Sequence, residues 1–236
     1  ERYGLVVLPD AYRPDREVAS RLQRYIEQGG AVVACGDAGR LAGSEESWLA
    51  PYGITFEGAS EFTPSYMVPR ASFTGDVPPY EYALYEGAGR WKVKAPAESL
   101  ADLGVPLFQR SAARYTSHRH TPFERVTEFS VAAVAGRLGL IGFPLGAAYY
   151  RTGYWVYRAL FNEVVRRVRP ERLVETDAPL ATEITVTRQP ADHGRPERWL
   201  VHVVNWSPDR KAPPHPEFHD SPSPLRDVRV RIALPF

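Results

Sequence analysis

Cys35 is the only cysteine in the chain and the residue best suited by type to act as a nucleophile. It ends an apolar run and is followed at once by Gly36, so we expect it at the end of a strand. A catalytic cysteine needs a base that stabilises its thiolate, and the pair His215 and Glu217 lies far downstream in a proline-rich loop. A buried cysteine at a strand end usually acts as a small apolar side chain. We therefore predict no catalytic cysteine.

A second candidate is the segment His118-Arg119-His120, which has the spacing of two metal ligands on one face of a strand. Zinc would still need a third and usually a fourth ligand, and the sequence shows none at an informative spacing. The alternative is a polar loop whose imidazoles satisfy backbone groups or form part of a sugar-facing rim. We predict no metal site.

Acidic residues matter because hydrolysis of a glycosidic bond uses two carboxyl groups about 5 to 10 Å apart. Glu45 and Glu46 are adjacent in a loop, which is typical of solvated charges. The acidic residues that follow are scattered, and no eightfold βα repeat is present to hold them at the ends of barrel strands. Neither glycine-rich nucleotide-binding motif occurs. We predict no catalytic residues and no cofactor.

Aromatic residues make up 12% of the chain, and their rings could stack on sugar faces. We favour packing in the core or at a subunit interface for most of them. Of the possible saccharide contacts, we keep five residues as candidates for the rim of a substrate site. They are His118, His120, Tyr66, Tyr149 and Tyr150, with Tyr154 and Trp155 as further possible contributors to a saccharide surface.

The composition limits the possible partners. Lys and Arg number 29 and Asp and Glu 28 in 236 residues, so no basic surface for nucleic acid is indicated. No apolar run approaches the roughly 20 residues that span a bilayer, and the N-terminus shows no signal-peptide pattern. A single cysteine allows no internal disulfide. We expect a cytoplasmic protein that binds neither nucleic acid nor membranes.

The N-terminal segment predicts a β-α-β unit. Residues 5–8 form an apolar strand, Val18, Leu22 and Ile26 mark one face of a helix, and residues 31–35 form the next buried strand. Strand, helix and strand in this order belong to a parallel sheet with a right-handed crossover. We expect the two strands to be neighbours in the centre of that sheet.

The remainder divides into three regions. Residues 37–128 show no lasting period and are predicted as loops, with one short strand at 91–94. Residues 129–143 predict a hairpin that turns at Gly136, and residues 152–168 predict a second helix. After residue 175 the period changes to two, which predicts three antiparallel strands in a small β domain.

Several of these segments resemble a known family. Residues 3–9, the amphipathic helix and residues 29–34 resemble the middle domain of family 42 β-galactosidases. Residues 51–54, 56–58, 115–122 and 201–206 are similar to related bacterial glycosidase-like proteins. The resemblance implies a trimerisation domain related to class I glutamine amidotransferases, built on a flavodoxin-like sheet. In such enzymes a catalytic TIM barrel precedes this domain and a small β-sandwich follows it.

On these grounds we predict an α/β fold with a flavodoxin-like parallel sheet and helices on both faces at 1–175, followed by a partial β-sandwich-like domain at 176–236. The function implied is a non-catalytic accessory and oligomerisation domain of a β-galactosidase-like glycoside hydrolase. Its expected partners are an upstream barrel of the same polypeptide, sister subunits (a trimer in the resembling family) and a saccharide. We expect the chain to be a fragment. The alternatives are a hydrolase or amidotransferase that uses Cys35, and a carbohydrate-binding module.

Overall fold

The computed structural model describes residues 3–73, 77–179, 182–192, 194–205 and 224–233. The chain forms two compact units, Glu1–Pro170 and Glu171–Phe236. The first unit is a mixed α/β fold dominated by one large sheet. It contains both of the cavities that concern function.

The first unit begins with the expected β-α-β element. Strand β1 (Leu5–Leu8) leads into helix α1 (Arg16–Glu27), and strand β2 (Ala31–Cys35) pairs with β1 in parallel. Asp15 starts α1 because its carboxylate accepts a hydrogen bond from the Val18 N–H at 2.8 Å. The prediction of neighbouring parallel strands is confirmed. Within the described residues β1 pairs with β2 alone, so its central position was predicted wrongly and it is an edge strand.

The region between residues 37 and 128, predicted as loops, instead supplies much of the sheet. Short 3-10 helices at Gly36–Gly39 and Ala50–Tyr52 come first. Strands then follow at irregular spacing, and several are only three to five residues long. They are β3 (Ile54–Ala59), β4 (Ser65–Pro69), β5 (Tyr82–Leu84), β6 (Gly89–Val93) and β7 (Glu98–Pro106).

The predicted hairpin is confirmed. Strand β8 (Phe123–Ala135) turns at Gly136, whose φ of 56° lies in the left-handed region, and returns as β9 (Leu138–Ile141). Strand β9 then pairs in parallel with β2. The hairpin therefore joins the parallel strands to the antiparallel part of the sheet.

The main path of the nine-stranded sheet is β1-β2-β9-β8-β7-β4-β5, while β6 pairs with β3 and β8. Only β1, β2 and β9 run parallel; every other pairing is antiparallel within the described residues. The expected flavodoxin-like parallel sheet is therefore not confirmed. The antiparallel strands have short or shifted registers, as in β7 with β8, and such strands lack the continuous apolar runs of a parallel core.

Two further helices complete the first unit. Helix α2 (Leu145–Thr152) precedes α3 (Trp155–Val168), so the predicted second helix starts three residues later than expected and α2 was missed. Residues of α3 pack in one apolar cluster with Ala31, Val33 and Cys35. Residues of α1 pack in another with Val32 and Ala34. None of the helices described is long and apolar enough to cross a membrane.

The second unit is described as two separate pairs of strands. Strand β10 (Val174–Thr176) pairs with β13 (Val230–Ile232), and β11 (Thr182–Gln189) pairs with β12 (Arg198–Asn205), both antiparallel. The predicted antiparallel character is confirmed for these residues. The last strand pairs with β10 rather than with β11 or β12.

Candidate functional site

A cavity of about 600 Å³ lies beside the loops that follow the three parallel strands. Asp10 follows β1, Gly36 and Asp37 follow β2, and Phe143 follows β9. In α/β sheets, ligands bind in the crevice outside the carboxyl ends of parallel strands. This cavity, which we call the strand-end cavity, lies where sheets with parallel strands bind small molecules. Its other lining residues that matter here are Arg40, Glu45, Phe56, Ala59, Ser60, Gly89, Trp91, Gly142 and Ala147.

Asp10 holds two parts of the cavity wall together. Its carboxylate accepts a hydrogen bond from the backbone N–H of Ala147 at 2.9 Å, in the first turn of α2. Helix α2 has no side-chain cap from Pro144, the residue at its own N-terminal boundary. The backbone carbonyl of Asp10 also accepts a hydrogen bond from the Asp37 N–H at 2.8 Å. Asp10 therefore fixes the loop after β2 and the start of α2 at once.

An ion-pair network forms a second part of the wall. The Arg40 guanidinium donates to Asp37, and also to Glu45 at 2.6 Å. Arg13 donates to Asp37 at 2.9 Å. Burial acts to raise the pKa of Asp37, but hydrogen bonds from Arg40 and Arg13 outweigh it and lower that pKa below its ordinary value. Asp37 is therefore an anion at neutral pH.

Two aromatic rings form the apolar wall of the same cavity. Phe56 and Trp91 have ring centroids 5.0 Å apart, and the Arg40 guanidinium lies 4.4 Å from the Phe56 ring centroid. Trp91 is 1% exposed, and its ring lies against Gly89 and Gly142. A Cβ on either glycine would come within 2.4 Å of the indole. Only glycine therefore leaves room for Trp91 in this wall.

Two donors in the cavity wall lack an acceptor. Neither the indole Nε1 of Trp91 nor Nε of Arg40 has a hydrogen-bond partner among the described residues, although both atoms are buried. A buried donor without an acceptor costs about 1–3 kcal/mol. Most such groups in native proteins are paired.

Cys35 is buried at the end of β2 and does not line this cavity, although its neighbour Gly36 does. Burial, with a smaller contribution from the negative charge of Asp10, raises the pKa of its thiol to about 12. The thiol therefore stays protonated at neutral pH and is a poor nucleophile. His215 and Glu217, considered as its partners, lie outside the described residues.

A second cavity, of about 540 Å³, brings together two of the predicted rim residues, Tyr66 and His120. Their rings lie edge to face with centroids 6.5 Å apart. The Tyr85 hydroxyl is 3.0 Å from Nδ1 of His120. Glu81 and Tyr154 also line the cavity. We call it the His120 cavity.

The structure separates the other rim candidates. His118 stacks on His120 with ring centroids 6.1 Å apart, at an exposed position. Tyr149 packs against the apolar core, and Tyr150 is an exposed residue of α2; neither lines the His120 cavity. Tyr66 is buried, and its hydroxyl donates to the carbonyl of Thr121.

Sequence reasoning missed the role of Tyr85. The density of aromatic residues between positions 62 and 91 was the available signal, but the pairing of Tyr85 with His120 joins positions 35 residues apart.

No group of three or more His, Cys, Asp or Glu in the described part of the chain could hold a metal ion.

Comparison with known proteins supports the fold. No protein-family model matches the chain, and no curated protein matches it significantly. Among solved structures, alpha-L-fucosidase isoenzyme 2 from Paenibacillus thiaminolyticus is similar, with a TM-score of 0.86 and 23% identity. That match covers 99% of this chain but 34% of the fucosidase chain. The chain therefore spans about a third of that enzyme's length.

The GH42 beta-galactosidase Gan42B is similar at a lower level. Its TM-score is 0.52 with 14% identity, over 87% of this chain and 26% of the galactosidase chain. A catalytic mutant of Gan42B from G. stearothermophilus gives a TM-score of 0.53. At these identities the likeness concerns the fold.

Proposed function

We propose that this chain is a non-catalytic accessory and oligomerisation part of a glycoside hydrolase, in the broad class of β-galactosidase-like enzymes. The observation that carries the proposal is the extent of the fold match. Almost the whole chain superposes on one third of a fucosidase chain, and the match to a galactosidase also covers about a quarter of that protein. The remaining length of such an enzyme would hold the catalytic TIM barrel, upstream in the same polypeptide.

The chemistry of the described residues supports a non-catalytic part. The thiol of Cys35 is buried and its pKa is raised to about 12, so it lacks the activation that an amidotransferase cysteine needs. The carboxylates of the strand-end cavity are engaged structurally: Asp10 binds the start of α2, and Asp37 binds Arg13 and Arg40. A hydrolase or amidotransferase built on Cys35 is disfavoured.

The edge of the sheet supports an oligomerisation role. Within the described residues β1 pairs on one side alone, and Val7 on it is 42% exposed. An edge strand with an apolar side chain readily pairs with, or packs against, another chain. We propose that β1 lies at a contact between sister subunits.

The His120 cavity is the proposed rim of the substrate site. Tyr66, Tyr85 and Tyr154 line it together with His120 and Glu81, a combination of aromatic and polar side chains that suits hydroxylated ligands. His118 and His120 remain the rim candidates, with Tyr66 and with Tyr85 as a positioning residue for His120. Tyr149 and Tyr150 lie away from this cavity.

The native polypeptide that carries this chain provides the test. We expect it to hydrolyse nitrophenyl glycosides, and we expect the Cys35→Ala variant to keep the wild-type kcat because the thiol takes no part. His120→Ala should raise KM with little change in thermal stability, and Glu175→Ala in the second unit is the control. A native polypeptide without glycosidase activity, or one inactivated by Cys35→Ala while still folded, would refute the proposal.

A further inference from the structure

The segment that joins β7 to β8, residues 107–122, contains three arginines and two histidines and no acidic residue. Neutral contacts hold its two ends. The side-chain amide of Gln109 accepts a hydrogen bond from the Thr63 N–H at 3.0 Å and donates to the Thr63 carbonyl at 2.9 Å. Thr121 Oγ1 donates to the Phe108 carbonyl at 2.8 Å. This segment, which we call the arginine loop, therefore presents its cationic side chains from a fixed backbone.

The three arginines of the loop are not neutralised by the fold. They are Arg110, Arg114 and Arg119, all exposed, and none forms an ion pair with a residue that the structure describes. Exposure alone does not explain this, because Arg16 and Arg21 are also exposed and each pairs with a carboxylate. The arginine loop therefore leaves positive charge available to a ligand.

Two of these guanidinium groups are held against aromatic rings. The Arg114 guanidinium lies 4.2 Å from the ring centroid of Phe108, and that of Arg119 lies 5.3 Å from the ring centroid of Tyr85. A guanidinium stacked on a ring keeps its N–H edge free for a planar or tetrahedral anion. Because each is already held in place, binding an anion costs less conformational entropy.

Arg119 adjoins the His120 cavity. Tyr85, the residue against which Arg119 stacks, lines that cavity and places its hydroxyl 3.0 Å from Nδ1 of His120. Nη2 of Arg119 also lies 3.5 Å from the Tyr85 carbonyl oxygen. Phe108, against which Arg114 stacks, does not line the cavity. A ligand that extends past Tyr85 therefore meets the guanidinium of Arg119.

A carboxylate lies at the other end of the same strand. Glu81 lines the cavity and directly precedes β5, whereas Tyr85 directly follows it. A carboxylate accepts hydrogen bonds from hydroxyl groups and repels an anion placed beside it. A ligand suited to both ends thus offers hydroxyl groups to Glu81 and a negative group to Arg119. A simple inorganic anion lacks the hydroxyls, and a cationic amino sugar would be repelled by Arg119.

We propose that the His120 cavity and Arg119 together bind a saccharide that carries an anionic group, either a carboxylate or a sulfate ester. The choice of a saccharide rests on the proposed function. Arg119 pairs with the anionic group, Glu81 accepts hydroxyl hydrogen bonds, and Tyr85 positions both the Arg119 guanidinium and the His120 imidazole. Arg119 is then a specificity-determining residue, and the parent enzyme acts on acidic glycans.

The test is isothermal titration calorimetry of the full 236-residue chain. The probes are α-1,4-digalacturonate, which carries carboxylates, galactobiose 6-sulfate, and α-1,4-galactobiose as the neutral counterpart. Galactosamine, sodium acetate and sodium sulfate are titrated for comparison. We expect one acidic disaccharide or both to bind about tenfold more tightly than galactobiose. The difference should shrink as salt is added, because the guanidinium is exposed.

Variants of the arginine loop locate the anionic group. Arg119→Gln should reduce the affinity for the acidic disaccharide to that for galactobiose and leave galactobiose binding unchanged. Arg119→Lys keeps the charge without the planar fork and should retain part of the preference. Arg114→Gln is the matched control, because it removes the same charge from the same loop and from a ring that does not line the cavity. It should keep the full preference.

Four results would overturn the proposal. They are equal or absent binding of acidic and neutral disaccharides, a preference for galactosamine, acetate or sulfate binding as tight as that of the acidic disaccharides, and equal losses in Arg119→Gln and Arg114→Gln. Thermal transitions confirm that each variant is folded.

Failure of this proposal and failure of the proposed function give different results. Binding of galactobiose without a preference for the acidic disaccharides refutes the acidic ligand and leaves the neutral rim standing. A native polypeptide without glycosidase activity refutes the proposed function and leaves the measured binding of acidic saccharides standing.

Discussion

The carboxylate of Asp10 accepts a hydrogen bond at 2.9 Å from the backbone N–H of Ala147, a residue 137 positions along the chain. This contact gives α2 the N-terminal cap that its own sequence does not supply, since Pro144 makes no side-chain cap. A residue in the loop after β1 thus satisfies a backbone donor at the start of a distant helix.

Replacing Asp10 by Ala should lower the free energy of unfolding by about 1–2 kcal/mol, which is the usual cost of losing a side-chain cap. Asp10→Asn should cost less because its amide oxygen can still accept the Ala147 N–H. Urea denaturation of the chain gives both values. Asp15→Ala, which removes the cap of α1, is the matched control and should cost a similar amount. An Asp10→Ala protein as stable as the wild type would show that the cap is energetically unimportant.

Cys35 should be unreactive in the folded protein. Its pKa is raised to about 12, chiefly by burial, so the thiolate population at pH 8 is negligible and access is blocked. Iodoacetamide should label the chain only after unfolding in guanidinium, with mass spectrometry as the readout. Rapid labelling of the native protein at pH 8 would contradict the buried, protonated thiol.

The same shift predicts how stability depends on alkaline pH. The folded thiol has a pKa of about 12 against 9.0 for an ordinary thiol, so the folded state binds this proton more tightly. The stability that the protonated Cys35 thiol contributes is fully present below about pH 9. As the pH rises from 9 toward 12, the free energy of unfolding falls by at most about 1.4 kcal/mol per pH unit from this group. Cys35→Ala should therefore show a shallower loss of stability between pH 9 and pH 11 than the wild type. Identical slopes would argue against the shift.

Part of this fold could be predicted from local sequence and part could not. Strand Ala31–Cys35 is buried along its whole length, and Leu5–Leu8 is a continuous apolar run beside it although Val7 is exposed, so local sequence reveals both. Strand β7 was missed because it carries Asp102 and Gly104 within a buried stretch and its register with β8 shifts several times. Helix α2 was missed because its cap comes from Asp10.

The candidate sites show the same limit. Tyr66 and His120 could be chosen as candidates from their side-chain chemistry alone, and the structure places both at one cavity. The contact between Tyr85 and His120 joins distant segments of the chain. The burial of Trp91 and Arg40, whose Nε1 and Nε atoms have no acceptor among the described residues, also depends on the packing of distant segments. No local pattern reports such contacts.

The buried polar residues of β7, Ser99 and Asp102, should form a stabilising hydrogen-bond network. The Asp102 carboxylate accepts from Arg70 Nε at 2.7 and 2.9 Å and from Ser99 Oγ at 3.0 Å, and Ser130 Oγ donates to Ser99 Oγ at 2.8 Å. Asp102→Ala should cost about 2 kcal/mol, because it removes the acceptor of the buried Ser99 hydroxyl and the ion-pair partner of Arg70. Glu124→Ala, which breaks an exposed pair with Arg125, should cost less than about 0.5 kcal/mol. Equal costs in urea denaturation would exclude a special role for the network.

The exposed edge of β1 should mediate self-association. Val7→Lys places a charge on an edge strand that the described structure leaves unpaired on one side. Sedimentation equilibrium should show the wild-type chain as an oligomer and the Val7→Lys chain shifted toward monomer. Val126→Lys, at an equally exposed apolar position on β8, is the control and should leave the oligomer intact. A monomeric wild-type chain would contradict the proposal that β1 forms a contact between subunits.

The most direct test of the accessory role is the catalytic activity of the purified 236-residue chain by itself. Turnover is measured with nitrophenyl galactoside, nitrophenyl fucoside and glutamine, on protein shown to be folded by its thermal transition. We expect no turnover above the uncatalysed rate with any of the three, because the Cys35 thiol is buried and protonated and the carboxylates of Asp10 and Asp37 are held in hydrogen bonds within the fold. Turnover that is abolished by one point substitution in a still-folded chain would show instead that this chain is an enzyme in its own right.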